Sequence, residues 1–173
     1  QLVNPRSKLN PDAKIEFRET EHLFFKLSEF RDVLLDWLSE GKEHWRSSVI
    51  NFTRNWLKEG LIDRAVTRDL DWGIEIPREG YENKRMYVWF EAVMGYYSAS
   101  VHWAKNQGKP EEWKKWWENE DSEHYYFMAK DNIPFHTIIW PAMLSGCGYK
   151  LPYDVPANEL SLIHISEPTR LDH

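Results

Sequence analysis

Residues 124–140 read His-Tyr-Tyr-Phe-Met-Ala-Lys-Asp-Asn-Ile-Pro-Phe-His-Thr-Ile-Ile-Trp. The aromatic first part is typical of a buried strand, and it ends at Lys130-Asp131. A helical run begins at once, with Pro134 near its start, a position that suits proline. The stretch therefore predicts a strand-to-helix corner that carries a carboxylate, a histidine and an indole. In open α/β sheets small ligands bind at such corners, beyond the carboxyl ends of the strands.

A second strand–helix pair precedes this corner. A short apolar run predicts a buried strand over 85–90, and a helix follows over 91–104. Two such pairs in succession favour a parallel β-α-β unit, completed by a strand around 154–156. The remaining predicted elements are an extended arm over 15–27, helices over 29–40, 45–59 and 110–119, and a strand–loop–strand over 65–77.

Composition limits the class of protein. With 173 residues, 42% of them hydrophobic and 29% charged, the chain predicts one globular domain with a core. The net charge of −6 and the mixing of basic with acidic residues argue against a DNA-binding surface. No apolar run is long enough to cross a membrane. The only cysteine, Cys147, cannot form an internal disulfide or a cysteine-based metal site, and it favours a reducing, cytoplasmic location.

Four segments carry a more specific pattern. Residues 18–25 read Arg-Glu-Thr-Glu-His-Leu-Phe-Phe and residues 67–73 read Thr-Arg-Asp-Leu-Asp-Trp-Gly. Residues 87–92 read Tyr-Val-Trp-Phe-Glu-Ala, with Gly95-Tyr96 soon after, and residues 130–136 read Lys-Asp-Asn-Ile-Pro-Phe-His. In this order and spacing, the segments resemble the methionyl-tRNA synthetases, which are class I aminoacyl-tRNA synthetases. The likeness covers roughly residues 1–159.

The resemblance implies an α/β fold: the second half of a class I Rossmann-like parallel sheet with flanking helices, plus a remnant of the inserted connective domain. Residues 1–27 would end the inserted domain and residues 28–159 would form the catalytic half. Residues 160–173 depart from the pattern and are interpreted as a foreign tail. The family's His-Ile-Gly-His motif and zinc-binding cysteines are expected upstream and its Lys-Met-Ser-Lys-Ser loop downstream, so we expect an internal fragment.

By the same resemblance, one set of residues forms a methionine pocket. Tyr96 would offer its hydroxyl to the thioether sulfur, and His136 would hold that geometry. Aromatic and sulfur contacts would add selectivity, since an apolar pocket alone discriminates weakly. The alternative for each aromatic residue is plain core packing. The predicted lining residues are Trp89, Ala92, Val93, Tyr96 and His136, with Phe135 and Trp140 packed nearby.

A second set is assigned to ATP. Asp131 would accept both ribose hydroxyls, although aspartate is also a favoured helix N-cap. Ala129 stands where the family commonly has glycine, which allows close backbone approach to a ligand. Arg68 and Glu75 are weaker candidates, because both could be purely structural, Arg68 by pairing with a neighbouring aspartate.

The implied reaction activates methionine with ATP to methionyl-adenylate and transfers it to tRNA(Met). The substrate carboxylate is itself the nucleophile, so positioning and charge stabilisation dominate and no side chain is predicted as a covalent catalyst. Mg²⁺ would accompany ATP, and the family's zinc is not expected on this chain, nor is a membrane or DNA partner. The isolated chain is expected to be inactive.

Two alternatives stay open at this point. One is another class I synthetase, for leucine, isoleucine or valine. The other is a non-catalytic, synthetase-like module that binds tRNA or serves as a scaffold. The retained polar set of Tyr96, Asp131 and His136 favours the methionine enzyme, since a scaffold needs none of the three.

Overall fold

The computed structural model describes residues 10, 12 and 14–158. The interpretation of 160–173 as a foreign tail lies outside the described residues, and so do most of the residues before position 14. In chain order the elements are β1 (Phe24–Phe25), α1 (Arg31–Trp37), α2 (Ser47–Glu59), β2 (Arg64–Ala65), β3 (Thr67–Asp69), β4 (Lys84–Met86), α3 (Val88–Glu91), α4 (Gly95–Asn106), α5 (Lys114–Trp117), β5 (Met128–Ala129), α6 (Trp140–Gly146) and β6 (Ala157–Asn158). Short 3₁₀ turns cover Leu27–Phe30, Ala92–Met94 and Lys130–Asn132, and a π-helix covers Phe135–Ile139.

The two N-terminal helices follow the apolar periodicity closely. Helix α2 begins two residues later than predicted and ends at Glu59, where Gly60 adopts a positive φ of 98° that suits glycine. Helix α1 is shorter than predicted, because a 3₁₀ turn occupies its first residues. Of the helix predicted over 110–119, only α5 is α-helical.

The strands form three two-stranded pairs. Strands β1 and β2 pair antiparallel, as do β3 and β4, whereas β5 and β6 pair in parallel. A bridge between Tyr125 and Asp154 extends the parallel pair at its start. The final strand thus lies at Ala157–Asn158, slightly beyond the predicted residues. Helices beside a parallel pair make a partial α/β, Rossmann-like fold.

The strand predicted over 85–90 is wrong. The extended part is β4, which pairs antiparallel with β3, while Val88 already begins helix α3. The N–H of Tyr87 donates to the carbonyl of Val66 at 2.8 Å, which ends the ladder. A short apolar run fits a strand and a helical turn equally well, so periodicity could not separate the two, and α3 has no buried residue.

Two buried clusters hold the fold together. The first joins α1 and α2 to the segment after β5 and to β6, through residues such as Leu34, Val49, Leu57 and Ile138. The second is aromatic and lies where α4, α5 and α6 meet, around Trp117, Tyr126 and Trp140. The strand-to-helix corner lies between the clusters, because Met128 packs against both.

A polar link fastens the N-terminal arm to the β3–β4 hairpin. The Lys84 ammonium, with only 8% of its side chain exposed, donates to Asp69 Oδ1 at 2.6 Å and to Thr20 Oγ1 at 2.8 Å. The hydrogen bond from Lys84 is the main cause that holds the pKa of the Asp69 carboxyl below its usual range. A buried ammonium without such partners would be costly, so the arm and hairpin stabilise one another.

Candidate functional site

Two segments enclose a small cavity. One runs from α3 through the 3₁₀ turn into α4, and the other is the corner after β5 with its π-helix. The cavity volume is about 260 Å³. Pockets for drug-sized ligands measure about 300–1,000 Å³, so this cavity suits a smaller molecule. Its lining residues are Trp89, Ala92, Val93, Tyr96, Phe127, Met128, Asn132, Phe135 and His136.

The only side-chain hydrogen bond that joins the two walls, among the described residues that line the cavity, is between Tyr96 and His136. The Tyr96 hydroxyl lies 2.8 Å from His136 Nε2, and His136 Nδ1 lies 2.9 Å from the carbonyl of Asn132. A carbonyl can only accept, so Nδ1 carries the ring hydrogen and donates to Asn132. Nε2 is then an acceptor, and the Tyr96 hydroxyl donates to it. The sequence predicted that Tyr96 and His136 act together, but not that the Tyr96 hydroxyl would donate its hydrogen to the imidazole.

Desolvation favours the neutral form of both groups. His136 is 6% exposed, and desolvation lowers the pKa of its imidazole below the ordinary value. Desolvation also raises the pKa of Tyr96, and the same cause raises the pKa of Tyr126 to about 12. The cavity therefore offers polarity without net charge, which suits a neutral, polarisable group.

Trp140 supports the cavity from behind and does not line it. Its indole N–H donates to the Tyr126 hydroxyl at 2.9 Å, and it is 4% exposed. The ring of Tyr126 lies 5.1 Å from that of Tyr96, edge to face. On the wall itself, Trp89 and Phe135 have ring centroids 6.2 Å apart. Such aromatic contacts fix ring orientation beyond simple burial.

Ala129 and Asp131 lie at the carboxyl end of β5. Ala129 has an extended backbone (φ −87°, ψ 159°) that any residue adopts, and Asp131 is exposed in the following 3₁₀ turn. Asp131 directly precedes Asn132, which lines the cavity. The assignment of both residues to ATP stays a prediction.

A second cavity, of about 460 Å³, adjoins this end of the parallel pair. Ala129 lines it together with Arg46, Pro156 and Asn158, and it shares Phe127 and Met128 with the first cavity. Arg46 donates to the carbonyl of Ala157 at 2.7 Å.

Arg68 and Glu75 line neither cavity in the described part of the chain. The Arg68 guanidinium donates to the carbonyls of Ala65 and Thr67, and it stacks 3.9 Å from the centroid of the Tyr87 ring. Glu75 bridges to Arg85 through the backbone. These contacts support the structural alternative for Arg68, and a nucleotide contact from either residue stays a prediction.

Sequence reasoning missed six residues that line one or both cavities: Arg46, Phe127, Met128, Asn132, Pro156 and Asn158. Phe127 and Met128 belong to the stretch interpreted as a buried strand, yet Phe127 is 80% exposed. Their position next to Lys130-Asp131 was the available signal. Asn132 belongs to the segment 130–136, but it was not among the predicted lining residues. Arg46 gave no signal, because it precedes a helix far from the corner in sequence.

Neither a metal centre nor a membrane segment emerges from residues 10, 12 and 14–158. That range holds no group of three or more His, Cys, Asp or Glu side chains that could bind a metal. It also holds no helix with the length and apolarity that a bilayer crossing requires.

Known proteins match this chain over most of its length. The family described as tRNA synthetases class I (M) matches residues 1–165. The chain belongs to this family. The methionine–tRNA ligase of Dehalococcoides mccartyi (strain ATCC BAA-2266 / KCTC 15142 / 195) is 63% identical over 145 residues, which cover 83% of this chain and 26% of that relative. The enzyme of the same name from Roseiflexus castenholzii is 53% identical over 167 residues, covering 91% and 28%.

Solved synthetase structures agree with the fold. The Mycobacterium tuberculosis methionyl-tRNA synthetase bound by methionyl-adenylate matches with a TM-score of 0.62 and 26% identity, over 78% of this chain and 25% of that one. The chain thus spans about a quarter of the length of its synthetase relatives. The family match and the sequence relatives confirm the predicted family and its methionine branch, and they disfavour the leucine, isoleucine and valine enzymes.

Proposed function

We propose that this chain supplies the methionine pocket and part of the ATP-binding edge of a methionine–tRNA ligase. The whole protein would activate methionine with ATP to methionyl-adenylate and transfer the amino acid to tRNA(Met) in the cytoplasm. The observation that carries the proposal is the cavity of about 260 Å³, whose two walls join through the hydrogen bond between Tyr96 and His136.

The methionine side chain would enter this cavity between aromatic walls. Trp89 and Phe135 offer ring faces and edges to a thioether, contacts worth about 0.3–1.5 kcal/mol. Ala92 and Val93 leave space for an unbranched chain and present no charge. A branched side chain of equal volume would place a methyl group against these walls.

The sulfur would meet Tyr96. A thioether is only an acceptor, and the single hydroxyl hydrogen of Tyr96 is already donated to His136 Nε2. A hydrogen bond to sulfur therefore requires the hydroxyl to turn away from the imidazole. The net gain is the difference between two hydrogen bonds, which explains why we expect a modest contribution from Tyr96.

ATP would lie beyond the carboxyl ends of β5 and β6, where the second cavity begins. Asp131 would accept the two ribose hydroxyls, and the backbone at Ala129 would pass close to the nucleoside. Mg²⁺ would arrive with ATP as part of that substrate. These residues position the α-phosphate for attack by the methionine carboxylate, which forms the new oxygen–phosphorus bond as pyrophosphate leaves.

The test is amino-acid-dependent exchange of pyrophosphate into ATP, measured on the full-length protein that contains this chain. Methionine should support exchange, while leucine, isoleucine and valine should stay at background. Equal exchange with a branched amino acid would refute the pocket assignment. Charging of tRNA(Met), and not of tRNA for leucine, is the matching test for the second step.

A further inference from the structure

The wall of the cavity that carries Phe135 and His136 is not an ordinary α-helix. Residues Phe135–Ile139 form a π-helix, and the N–H of Trp140 donates to the carbonyl of Phe135, five residues back. Single π turns are rare and occur often at functional sites. Contacts of its own side chains tie this wide turn to the neighbouring elements.

Two side chains of the wide turn bond to backbone carbonyls. His136 Nδ1 lies 2.9 Å from the carbonyl of Asn132, and Thr137 Oγ1 lies 2.9 Å from that of Ile133. The imidazole and the hydroxyl thus anchor the first residues of the wide turn to the backbone of the turn before it.

Thr137 is also tied to helix α2. Its hydroxyl lies 2.9 Å from that of Thr53, which in turn lies 2.8 Å from the carbonyl of Val49. Both threonines are 0% exposed. A buried hydroxyl that loses its partner has no water to replace it, so the pair connects α2 firmly to the wide turn.

We infer that Thr137 and Thr53 are positioning residues for the amino-acid pocket. They hold the wide turn, and the wide turn holds the imidazole of His136 where Nε2 accepts from Tyr96. Without the Thr137 hydroxyl the wide turn loses its hydrogen bond to α2 and can shift against that helix. The ring of His136 then moves away from Tyr96, and the Tyr96 hydroxyl is no longer held at the place from which it can turn toward the sulfur. This inference rests on the proposed function.

The experiment compares methionine with norleucine, which has a methylene in place of the sulfur. In the full-length protein, Thr137→Val should lower the ratio of kcat/KM for methionine to that for norleucine by about three- to tenfold, the effect of one hydrogen bond of ordinary strength. Thr137→Ser keeps the hydroxyl and should restore the ratio to within about twofold of the wild type. The KM for ATP should change less than about twofold in both variants, which separates positioning from general loss of structure.

Two further variants complete the design. Thr53→Val leaves every residue of the wide turn intact and should lower the same ratio by about two- to threefold. If Thr137→Val does not fold, Thr53→Val decides the matter. Ile138→Val is the control, since it trims the buried core of the same turn without touching a hydrogen bond, and the ratio should not change.

Each outcome has one meaning. An active wild type whose ratio is unchanged in both valine variants overturns the inference while the proposed function stands. An equal fall in Thr137→Val and Thr137→Ser also overturns it, because the methyl group and not the hydroxyl would be responsible. A wild type without methionine-dependent exchange removes the proposed function itself.

Discussion

Replacing Tyr96 by phenylalanine removes one hydroxyl group and leaves the ring in place. The lost group donates to His136 Nε2 at 2.8 Å, and His136 is 6% exposed, so the imidazole acceptor finds no ready replacement. A net hydrogen bond is worth about 0.5–1.5 kcal/mol, while a buried unsatisfied acceptor costs about 1–3 kcal/mol. We expect the KM for methionine in Tyr96→Phe to rise by about three- to tenfold, since 1.4 kcal/mol corresponds to tenfold.

The assay is methionine-dependent exchange of pyrophosphate into ATP by the full-length protein. The KM for ATP should stay within about twofold, because Tyr96 lines the first cavity and not the second, where we propose that ATP binds. Tyr97→Phe is a matched control: its hydroxyl lies 3.2 Å from that of Tyr149, within the aromatic cluster and away from the cavity. Unchanged methionine kinetics in Tyr96→Phe, or an equal effect in Tyr97→Phe, would refute the assignment.

Three other outcomes are expected. Asp131→Ala should raise the KM for ATP by up to about tenfold while the KM for methionine stays within about twofold. The same exchange assay measures both KM values, and an equal rise in the two would contradict the prediction. The isolated chain should show no exchange above background, because neither His-Ile-Gly-His nor Lys-Met-Ser-Lys-Ser occurs in its sequence; a methionine-specific signal would contradict this. The His136 imidazole should titrate below its ordinary pKa of 6.5, since burial penalises the charged form. Comparing histidine NMR spectra of the wild type and His136→Gln identifies the His136 resonance. Because the imidazole binds a proton more readily in the unfolded chain than in the folded one, the contribution of His136 to the free energy of unfolding is lost as pH falls below 6.5.

Local patterns in the sequence predicted some elements well. Helix α2 has apolar residues at helical spacing and a glycine directly after its last turn, so both signals are local in sequence. The run Val88-Trp89-Phe90 was misread as strand, because its conformation is decided by where the antiparallel ladder of β3 and β4 ends. That ending depends on a pairing with residues near Val66, which no local window contains.

For the candidate pocket, too, local sequence predicted some features and contacts between distant residues determined others. The family motifs predicted which side chains line it, since Trp89, Tyr96 and His136 are part of those motifs. The wide turn could not be predicted, because its partner Thr53 lies 84 residues earlier and belongs to another element. The tautomer of His136 likewise depends on a carbonyl whose position only the folded turn defines.

The exposure of Trp89 gives the pocket an optical signal of its own. This indole lines the cavity and is 56% exposed, whereas Trp140 behind the wall is 4% exposed and already dry. A molecule that enters the cavity displaces water from the first ring and leaves the second unchanged, and indole emission moves to shorter wavelength when water leaves. With ten tryptophans in the chain the total fluorescence is crowded, so the spectral difference between the wild type and Trp89→Phe isolates the one indole that reports on the cavity.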